Sequence, residues 1–271
     1  MTLLITFLFV LGAVWGSFLT VVIVRSAKGK SFVKGRSQCD KCKHQLAWSD
    51  NIPLLSFLFL KGRCYYCHQK ISIINPIMEF LTGVFFVWWF FVGFGFFRLV
   101  GSPWFVIQPL FWLIVGLVFM VIFVIDLLYM IIPFGLNLFL FSLSLVYRIW
   151  LVSSGNMQSG DFLLALLSGF LFALFLIVLN KITKMIKGID GFGLGDIYLA
   201  PSLGLLLGWP KIIPGIFGSF VIGSLVGITL MVFGKKKLGD YLPFGPFLLA
   251  GTALSLLYGE MIWKAYFGLL V

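Results

Sequence analysis

Residues 104–126 read WFVIQPLFWLIVGLVFMVIFVID, and this stretch decides the fold class. An apolar run of about 20 residues is long enough to cross a bilayer as a helix. The run ends at Asp126, and an ionised acid at the edge of a membrane segment is costly and usually functional. The stretch therefore predicts a membrane helix with a functional carboxylate at its end.

The remainder of the chain has the same character. Hydrophobic residues make up 61% of the sequence and charged residues 11%, with a mean hydropathy of +1.10, whereas a soluble domain carries about 25% charged residues. Apolar segments continue to the C-terminus, so a cleavable signal peptide does not account for them, and the first segment is interpreted as a retained helix. We predict an all-α polytopic membrane protein with about eight helices. They cover 2–24, 77–97, 104–125, 133–152, 162–181, 196–209, 211–233 and 242–259.

The basic residues predict the orientation. Ten of the 20 Lys and Arg residues lie between Arg25 and Lys70, and cytoplasmic loops are typically rich in these residues. If this loop is cytoplasmic, 16 of the 20 lie on that side, and Asp126 and Asp196 both face the cytoplasm. Nucleic-acid binding is disfavoured despite the net charge of +11, because no aromatic pattern accompanies the basic residues. The basic residues left on the other side are Arg98, Arg148, Lys211 and Lys264.

All four cysteines lie in the loop between the first two helices, as two C-x-x-C pairs. Cys39, Cys42, Cys64 and Cys67 have the spacing of a four-cysteine zinc site, which would be structural because four thiolates leave no position for water. Disulfides are disfavoured in the reducing cytosol. A thioredoxin-like motif would need a βαβ context, and the c-type haem pattern at 64–68 belongs on the opposite side of the membrane. His44 and His68 are either substitute ligands or ordinary surface histidines.

Two acids are candidates for catalysis. Asp196 closes a glycine run, residues 191–196, that leaves room for a substrate backbone. If it shares a depth with Asp126, the pair can share a proton and activate a water, as in an aspartic protease. For Asp126 alone, an interfacial acid that reaches water or pairs with a base is the plainer interpretation. Glu79 either pairs with a loop lysine, orients a water or binds a substrate amine.

The chain resembles the type IV prepilin peptidases, bifunctional bacterial membrane enzymes, from end to end. Both the cysteine pairs and the aspartates fit the family order. The other matching motifs are Gly16-Ser17-Phe18-Leu19 with Arg25, Asn51-Ile52-Pro53, Gly62-Arg63-Cys64, Pro76 with Glu79, Ile132-Pro133, Gly193-Leu194-Gly195-Asp196 and Leu242-Pro243-Phe244-Gly245-Pro246. Two positions depart from the family: Thr20 stands where Asn is usual, and Tyr198 where Lys is common.

The resemblance implies an aspartic endopeptidase of the bacterial inner membrane. It implies that Asp126 and Asp196 cleave the basic leader of prepilins or pseudopilins after a glycine, on the cytoplasmic side. Methylation of the new N-terminus with S-adenosylmethionine is implied as well, with Glu79 a candidate for the substrate amine or methyl transfer. The implied zinc ligands are the four cysteines. The division predicted from the chain is a first transmembrane helix at 1–24, a cytoplasmic zinc-binding loop domain at 25–75 and a transmembrane peptidase core at 76–271.

Three other functions remain open at the level of the sequence. An intramembrane protease with other substrates would share the G-x-G-D motif but would not need the cysteine loop. A proton-coupled transporter would place its acids at the bilayer midplane and often shows an internal repeat. An assembly protein with a zinc-stabilised docking loop would tolerate replacement of either aspartate.

Overall fold

The computed structural model describes residues 1–31, 35, 37–39, 41–93, 95, 107–237 and 239–267. Within these ranges the regular structure is helical, and two isolated β-bridges join residues of the cysteine segment. The described residues form nine α-helices: α1 (Thr2–Ala27), α2 (Leu55–Phe59), α3 (Ile74–Trp88, continued by a π-helical turn at Trp89–Gly93), α4 (Ile107–Tyr129), α5 (Phe134–Ser153), α6 (Ser159–Lys187), α7 (Leu194–Leu207), α8 (Ile212–Val232) and α9 (Gly245–Phe267).

Each of the eight predicted apolar segments contains a helix in its described residues, which confirms the fold class. Seven helices in the described part of the chain are long and apolar enough to cross a membrane, and α7, at 14 residues, is shorter. The predicted helix ends at 97 and 104, together with Arg98, lie outside the described residues.

Several helices extend beyond their predicted ends: α1 continues to Ala27 and α4 to Tyr129, and the two largest extensions are those of α6 and α9. The sixth segment, α6, continues past 181 to Lys187 because the chain there lacks a helix-breaking residue, and it ends where Gly188 takes a left-handed conformation with φ of 72°. The last helix, α9, continues to Phe267 rather than ending at 259, since the added residues are again compatible with a helix.

The chain packs as two compact units, Met1–Leu117 and Val118–Val271, and the boundary falls inside α4. In the first unit α1 packs on α3. Gly16 of α1 faces the backbone of Glu79 so closely that a Cβ atom would lie 2.6 Å from the Glu79 Cα. The absence of a side chain at Gly16 therefore sets the helix separation.

In the second unit α7 lies among α5, α6 and α9. Every residue from Ser202 to Leu207 is buried, so the backbone of this helix is shielded from solvent and needs internal partners where the helix ends. Arg148 of α5 supplies them: its Nε donates to the carbonyl oxygen of Leu205 at 2.6 Å, and its Nη2 donates to that of Leu206 at 3.1 Å. The C-terminal end of α7 is thus held by a part-buried guanidinium.

Asn137 of α5 holds the middle of α7. Its Nδ2 donates to the carbonyl oxygen of Tyr198 at 2.6 Å, and its Oδ1 accepts from the Ser202 hydroxyl at 2.9 Å. The helix that carries Asp196 is therefore fixed to α5 at two levels by polar contacts with defined geometry.

Candidate active site and cysteine cluster

The structure brings the four cysteines together. The sulfur atoms of Cys39, Cys42, Cys64 and Cys67 all lie within 4.8 Å of one another, and all four are free thiols. Such a cluster can hold a metal ion, and four sulfur donors in this arrangement suit tetrahedral zinc.

The two C-x-x-C pairs adopt the same turn. In each turn the N–H of the first cysteine donates to the carbonyl oxygen five residues later, from Cys39 to His44 and from Cys64 to Gln69. The N–H of the residue after the second cysteine donates back to the carbonyl oxygen of the first, from Lys43 to Cys39 and from His68 to Cys64. Lys43 and His68 take positive φ values of 61° and 55° to close these turns. The repeated geometry aims two sulfur atoms from each turn at a common point.

The environment of the cluster favours metal binding by thiolates. Burial raises the pKa of the Cys39 thiol, but hydrogen bonds from the backbone of Cys42 and Lys41 and from the neighbouring thiols outweigh it and lower the pKa from 9.0 to about 7. A thiolate is the form of cysteine that binds metal.

Neither histidine of this segment belongs to the cluster. The ring of His44 lies against Tyr66, with ring centroids 3.6 Å apart, and His68 closes the second turn through its backbone. The structure therefore favours the interpretation that both residues are ordinary histidines outside the metal site.

Asp126 lies in the last turn of α4 and is only 4% exposed. Its Oδ2 accepts a hydrogen bond from the backbone N–H of Gly245, at the start of α9, at 3.0 Å. A Cβ atom at residue 245 would lie 2.6 Å from that same oxygen, so only glycine brings the donor this close.

Asp196 lies in the first turn of α7 and is 6% exposed. Its Oδ2 accepts a hydrogen bond from the backbone N–H of Gly193 at 3.1 Å. This is a capping interaction, in which an acid at the third helical position binds the backbone of the residue that caps the helix. The N-terminal end of a helix also favours negative charge.

The two carboxylates share a neighbourhood within the second unit. A Cβ at Gly195 would meet Ile132 at 2.9 Å, and a Cβ at Gly245 would meet the same Ile132 side chain at 3.1 Å. Ile132 thus lies against the glycine beside Asp196 and against the glycine that donates to Asp126. The charge of Asp126 also acts electrostatically on Asp196. Each of the two buried acids therefore lies next to a glycine that borders Ile132.

The glycine run that precedes Asp196 is held by α6. The side-chain oxygen of Asn180 accepts the N–H groups of Gly191 at 2.7 Å and of Phe192 at 3.1 Å. The ring of Phe192 packs edge-on against Phe244 with centroids 5.0 Å apart, next to the glycine that contacts Asp126. The loop is fixed at both its backbone and its aromatic side chain.

Glu79 is 7% exposed and lies in α3. Its Oε2 accepts the N–H of Leu54 at 2.7 Å, and within the described ranges it forms no ion pair. Leu54 has a φ of 62°, a conformation that costs a non-glycine residue about 1–3 kcal/mol. Glu79 therefore binds the strained backbone of the cysteine segment rather than a lysine.

The two departures from the family pattern have separate environments. Thr20 is buried in α1, and its hydroxyl donates to the carbonyl of Gly16 at 2.9 Å. Tyr198 is 52% exposed and meets Phe134 edge-on, with centroids 6.2 Å apart.

Sequence reasoning did not single out Asn137 or Asn180. Both are amides inside long apolar helices, where a polar side chain needs a partner. Their position within apolar sequence could have identified them as residues with a partner elsewhere. Their partners are backbone groups of a distant segment, which residue type alone does not identify.

Two protein family models match this chain. The family model "Bacterial Peptidase A24 N-terminal domain" matches residues 10–92, and "Type IV leader peptidase family" matches residues 113–228. No solved structure gives a significant match.

Several curated relatives carry the name "Prepilin leader peptidase/N-methyltransferase". The protein of Aeromonas salmonicida (strain A449) is 32% identical over 85% of this chain and 74% of its own length. The protein of Bacillus subtilis (strain 168) is 30% identical over 97% of this chain and 98% of its own length. Two matching models and relatives of this similarity over nearly the whole chain mean that the chain belongs to the type IV leader peptidase family.

Proposed function

We propose that this protein is a membrane-embedded aspartic endopeptidase that cleaves the basic leader of prepilins or pseudopilins after a glycine and then methylates the new N-terminus. Membership of a peptidase family makes the chain an enzyme, and its relatives are named for both activities. The observation that carries the proposal is the pair of buried carboxylates, Asp126 and Asp196, around Ile132.

The proposed chemistry requires the two acids to act at close range. Two neighbouring carboxyl groups do not both ionise readily, so one holds a proton and the pair titrates as a unit. The ionised member takes a proton from a water, which attacks the scissile carbonyl, while the protonated member donates to the carbonyl oxygen. The departing amine then takes a proton from the pair. These steps are the same whichever of the two acids holds the shared proton at the start.

The methyl-transfer step needs a donor that the relatives' name implies to be S-adenosylmethionine. When bound, this cofactor supplies a methyl group to the lone pair of the new amine; its sulfur keeps the bonding electrons, and one amine proton leaves. The chain has a cavity of about 400 Å³ beside the cysteine cluster, within the size range of small-molecule sites.

We propose zinc as the metal of the cysteine cluster, with a structural role, because four sulfur donors occupy all four tetrahedral positions. The proposed division has a cytoplasmic loop domain at 25–75 between the first helix and the peptidase core at 76–271. We place the protein in the bacterial inner membrane with its aspartates toward the cytoplasm, since 16 of 20 basic residues then lie on that side.

The test is cleavage of a purified prepilin by the reconstituted, zinc-loaded protein, with mass analysis of the product N-terminus. Asp126→Asn and Asp196→Asn should each abolish cleavage. Asp161→Asn is the control, since Asp161 is an exposed acid in the first turn of α6.

Each outcome of this test decides between functions. Cleavage after the leader glycine, lost in Asp126→Asn and in Asp196→Asn but retained in Asp161→Asn, would establish the peptidase function. No cleavage of any prepilin or pseudopilin by folded protein would overturn the substrate assignment in favour of another membrane substrate. Full activity of either dyad variant would overturn the aspartic mechanism.

A further inference from the structure

An apolar groove of about 600 Å³ lies between α6 and α8 in the second compact unit. On α6 the lining side chains recur every three or four positions from Leu164 to Phe175, and on α8 they recur in the same way from Ile212 to Phe220. This spacing places the lining residues of each helix on one face, so each helix forms one wall. At about 1.5 Å per residue the α6 wall is about 17 Å long, which is about three helical turns.

The groove has a buried floor and an exposed rim. Phe172 and Ile212 are each 3% exposed and Ser168 is 7% exposed, whereas Leu171 and Phe217 at the rim are 61% and 69% exposed. Every side chain that lines the groove is uncharged, and the Ser168 hydroxyl donates to a carbonyl oxygen of its own helix at 2.9 Å. Both walls belong to helices long and apolar enough to cross a membrane, and a small residue on the floor lets another helix approach closely.

Four aromatic rings form one end of the groove. Phe175 of α6 meets Phe220 of α8 edge-on, with ring centroids 6.2 Å apart. Phe220 also lies against Phe192 at 6.1 Å and against Phe244 at 5.2 Å. The opposite end is at Trp209, just after the last residue of α7. The groove therefore runs from the C-terminal end of α7 to this aromatic cluster.

The aromatic cluster connects the groove to the candidate active site. Phe192 directly precedes Gly193, and Phe244 directly precedes Gly245. The N–H groups of these two glycines bind the carboxylates of the two aspartates. One end of the groove is therefore one layer of aromatic rings away from the backbone that holds both acids.

The chemistry of the groove decides which part of a substrate fits it. A basic leader does not, because charge beside apolar helices at membrane depth is costly. An apolar segment does fit, and within a membrane such a segment must be helical so that its backbone groups are hydrogen-bonded. Since the leader precedes the scissile bond, the apolar helix is the part of the substrate that follows this bond.

From this continuity we infer that the groove binds an apolar helix of the substrate, on the C-terminal side of the scissile bond, with the start of that helix at the aromatic cluster. The inference rests on the proposed function and adds the surface that recognises the substrate. The enzyme then selects a substrate by an apolar helix that fits the groove as well as by the residues at the cut. A lipid acyl chain is the competing occupant.

The first test is photo-crosslinking at two matched phenylalanine positions. The photoreactive residue p-benzoylphenylalanine replaces either Phe217 at the rim or Phe170, a 58% exposed residue of α6 outside the groove lining. Both proteins also carry Asp126→Asn, so that purified prepilin added in nanodiscs stays intact. Position 217 should crosslink to the apolar segment that follows the leader, and position 170 should give at least tenfold less of this product by mass spectrometry.

The second test is steady-state cleavage by protein with both aspartates intact. Leu171→Trp narrows the groove at its rim, and Leu174→Trp places the same side chain at a 53% exposed position of α6 outside the lining. Leu171→Trp should raise the KM for prepilin about tenfold and leave kcat nearly unchanged, because bound substrate still meets the same two acids. Leu174→Trp should match the wild type, and thermal unfolding shows whether each variant is folded.

Crosslinks from position 217 to lipid alone, or equal KM values for folded Leu171→Trp and Leu174→Trp proteins, would overturn the groove as the substrate site. If the wild type still cleaves prepilin in that case, the proposed function stands and the substrate helix binds elsewhere. If folded wild-type protein cleaves no prepilin, the proposed function falls and the inference falls with it. If Leu171→Trp does not fold, the crosslinking at positions 217 and 170 decides alone.

Discussion

Asp126 and Asp196 are each held by a backbone N–H group of a glycine rather than by a basic side chain. Within the described ranges neither acid forms an ion pair. A fixed cation would keep a carboxylate ionised, because opposite charge favours the charged form. Backbone donors instead orient the carboxylate and leave a proton to be exchanged between the two acids, which is what the proposed mechanism requires.

Gly245→Ala tests this orientation at the level of one residue. The added Cβ would lie 2.6 Å from the Asp126 Oδ2, so the carboxylate must move, and misplacement by about 1 Å can cost about 100-fold in rate. We expect prepilin cleavage to fall by about 10- to 100-fold, with the protein still folded and its metal retained, as measured by initial rates and metal analysis.

Gly227→Ala is the matched control. A Cβ at that position meets only Leu242 at an ordinary 3.6 Å, and cleavage should stay near the wild-type rate. Equal rates for the two alanine variants would contradict the assigned role of the Gly245 contact.

Residue type and position predicted part of this site. The cost of an acid at the end of an apolar run singled out Asp126 and Asp196, and sulfur spacing singled out the four cysteines, whose cluster the structure contains. The bond from Leu54 to Glu79 was not predictable, because it depends on Leu54 taking a φ of 62°. Local sequence gives no reason for a leucine to adopt that conformation.

At the scale of the helix, α7 differs from the other membrane segments. It has 14 residues and is buried along most of its length, and polar groups of α5 contact its middle and its end. Hydropathy predicted its existence and its shortness, since both follow from composition. Its anchors were not predictable, because they join residues about 60 positions apart in the chain, as for Asn137 and Tyr198.

Asn137→Leu should destabilise the protein by about 1–3 kcal/mol, since the buried Ser202 hydroxyl and the Tyr198 carbonyl each lose a partner. The measurement is thermal or denaturant unfolding in detergent. Ser142→Leu, at an exposed position of the same helix, should change stability little. A similar loss in both variants would mean that the effect comes from leucine in α5 and not from the lost hydrogen bonds.

Asn180→Ala tests the support of the glycine run by α6. The N–H groups of Gly191 and Phe192 lose their acceptor, and each such bond contributes about 1 kcal/mol. Amide hydrogen exchange at 191–193 should therefore become faster, and cleavage should fall several-fold.

Asn156→Ala is the comparison for this variant, because the side-chain amide of Asn156 bonds to nearby Ser154 and, among the described residues, to no distant segment. It should leave both the exchange at 191–193 and the cleavage rate unchanged. Unchanged exchange in Asn180→Ala would mean that other contacts hold the loop.

At the scale of the whole molecule, the two proposed chemistries belong to different compact units. The cysteine cluster and the cavity beside it lie within Met1–Leu117, and both aspartates lie within Val118–Val271. Each unit has its own packing, with α1 on α3 in the first and with α5, α6 and α9 around α7 in the second. Loss of structure in the cysteine segment is therefore expected to begin locally, in line with the uneven stability of folded proteins.

Metal removal tests this expectation. A chelator should release one metal ion per chain and raise amide exchange in residues 41–71, since four thiolates lose the ion that joins the two turns. Exchange in α7, the most buried helix of the second unit, should change little over the same time. Cys42→Ser should reproduce the effect without chelator, because Cys42 is an exposed member of the cluster, whereas His44→Ala should not. Equal deprotection of both units would show that the metal stabilises the whole fold, and the local assignment of its role would then be wrong.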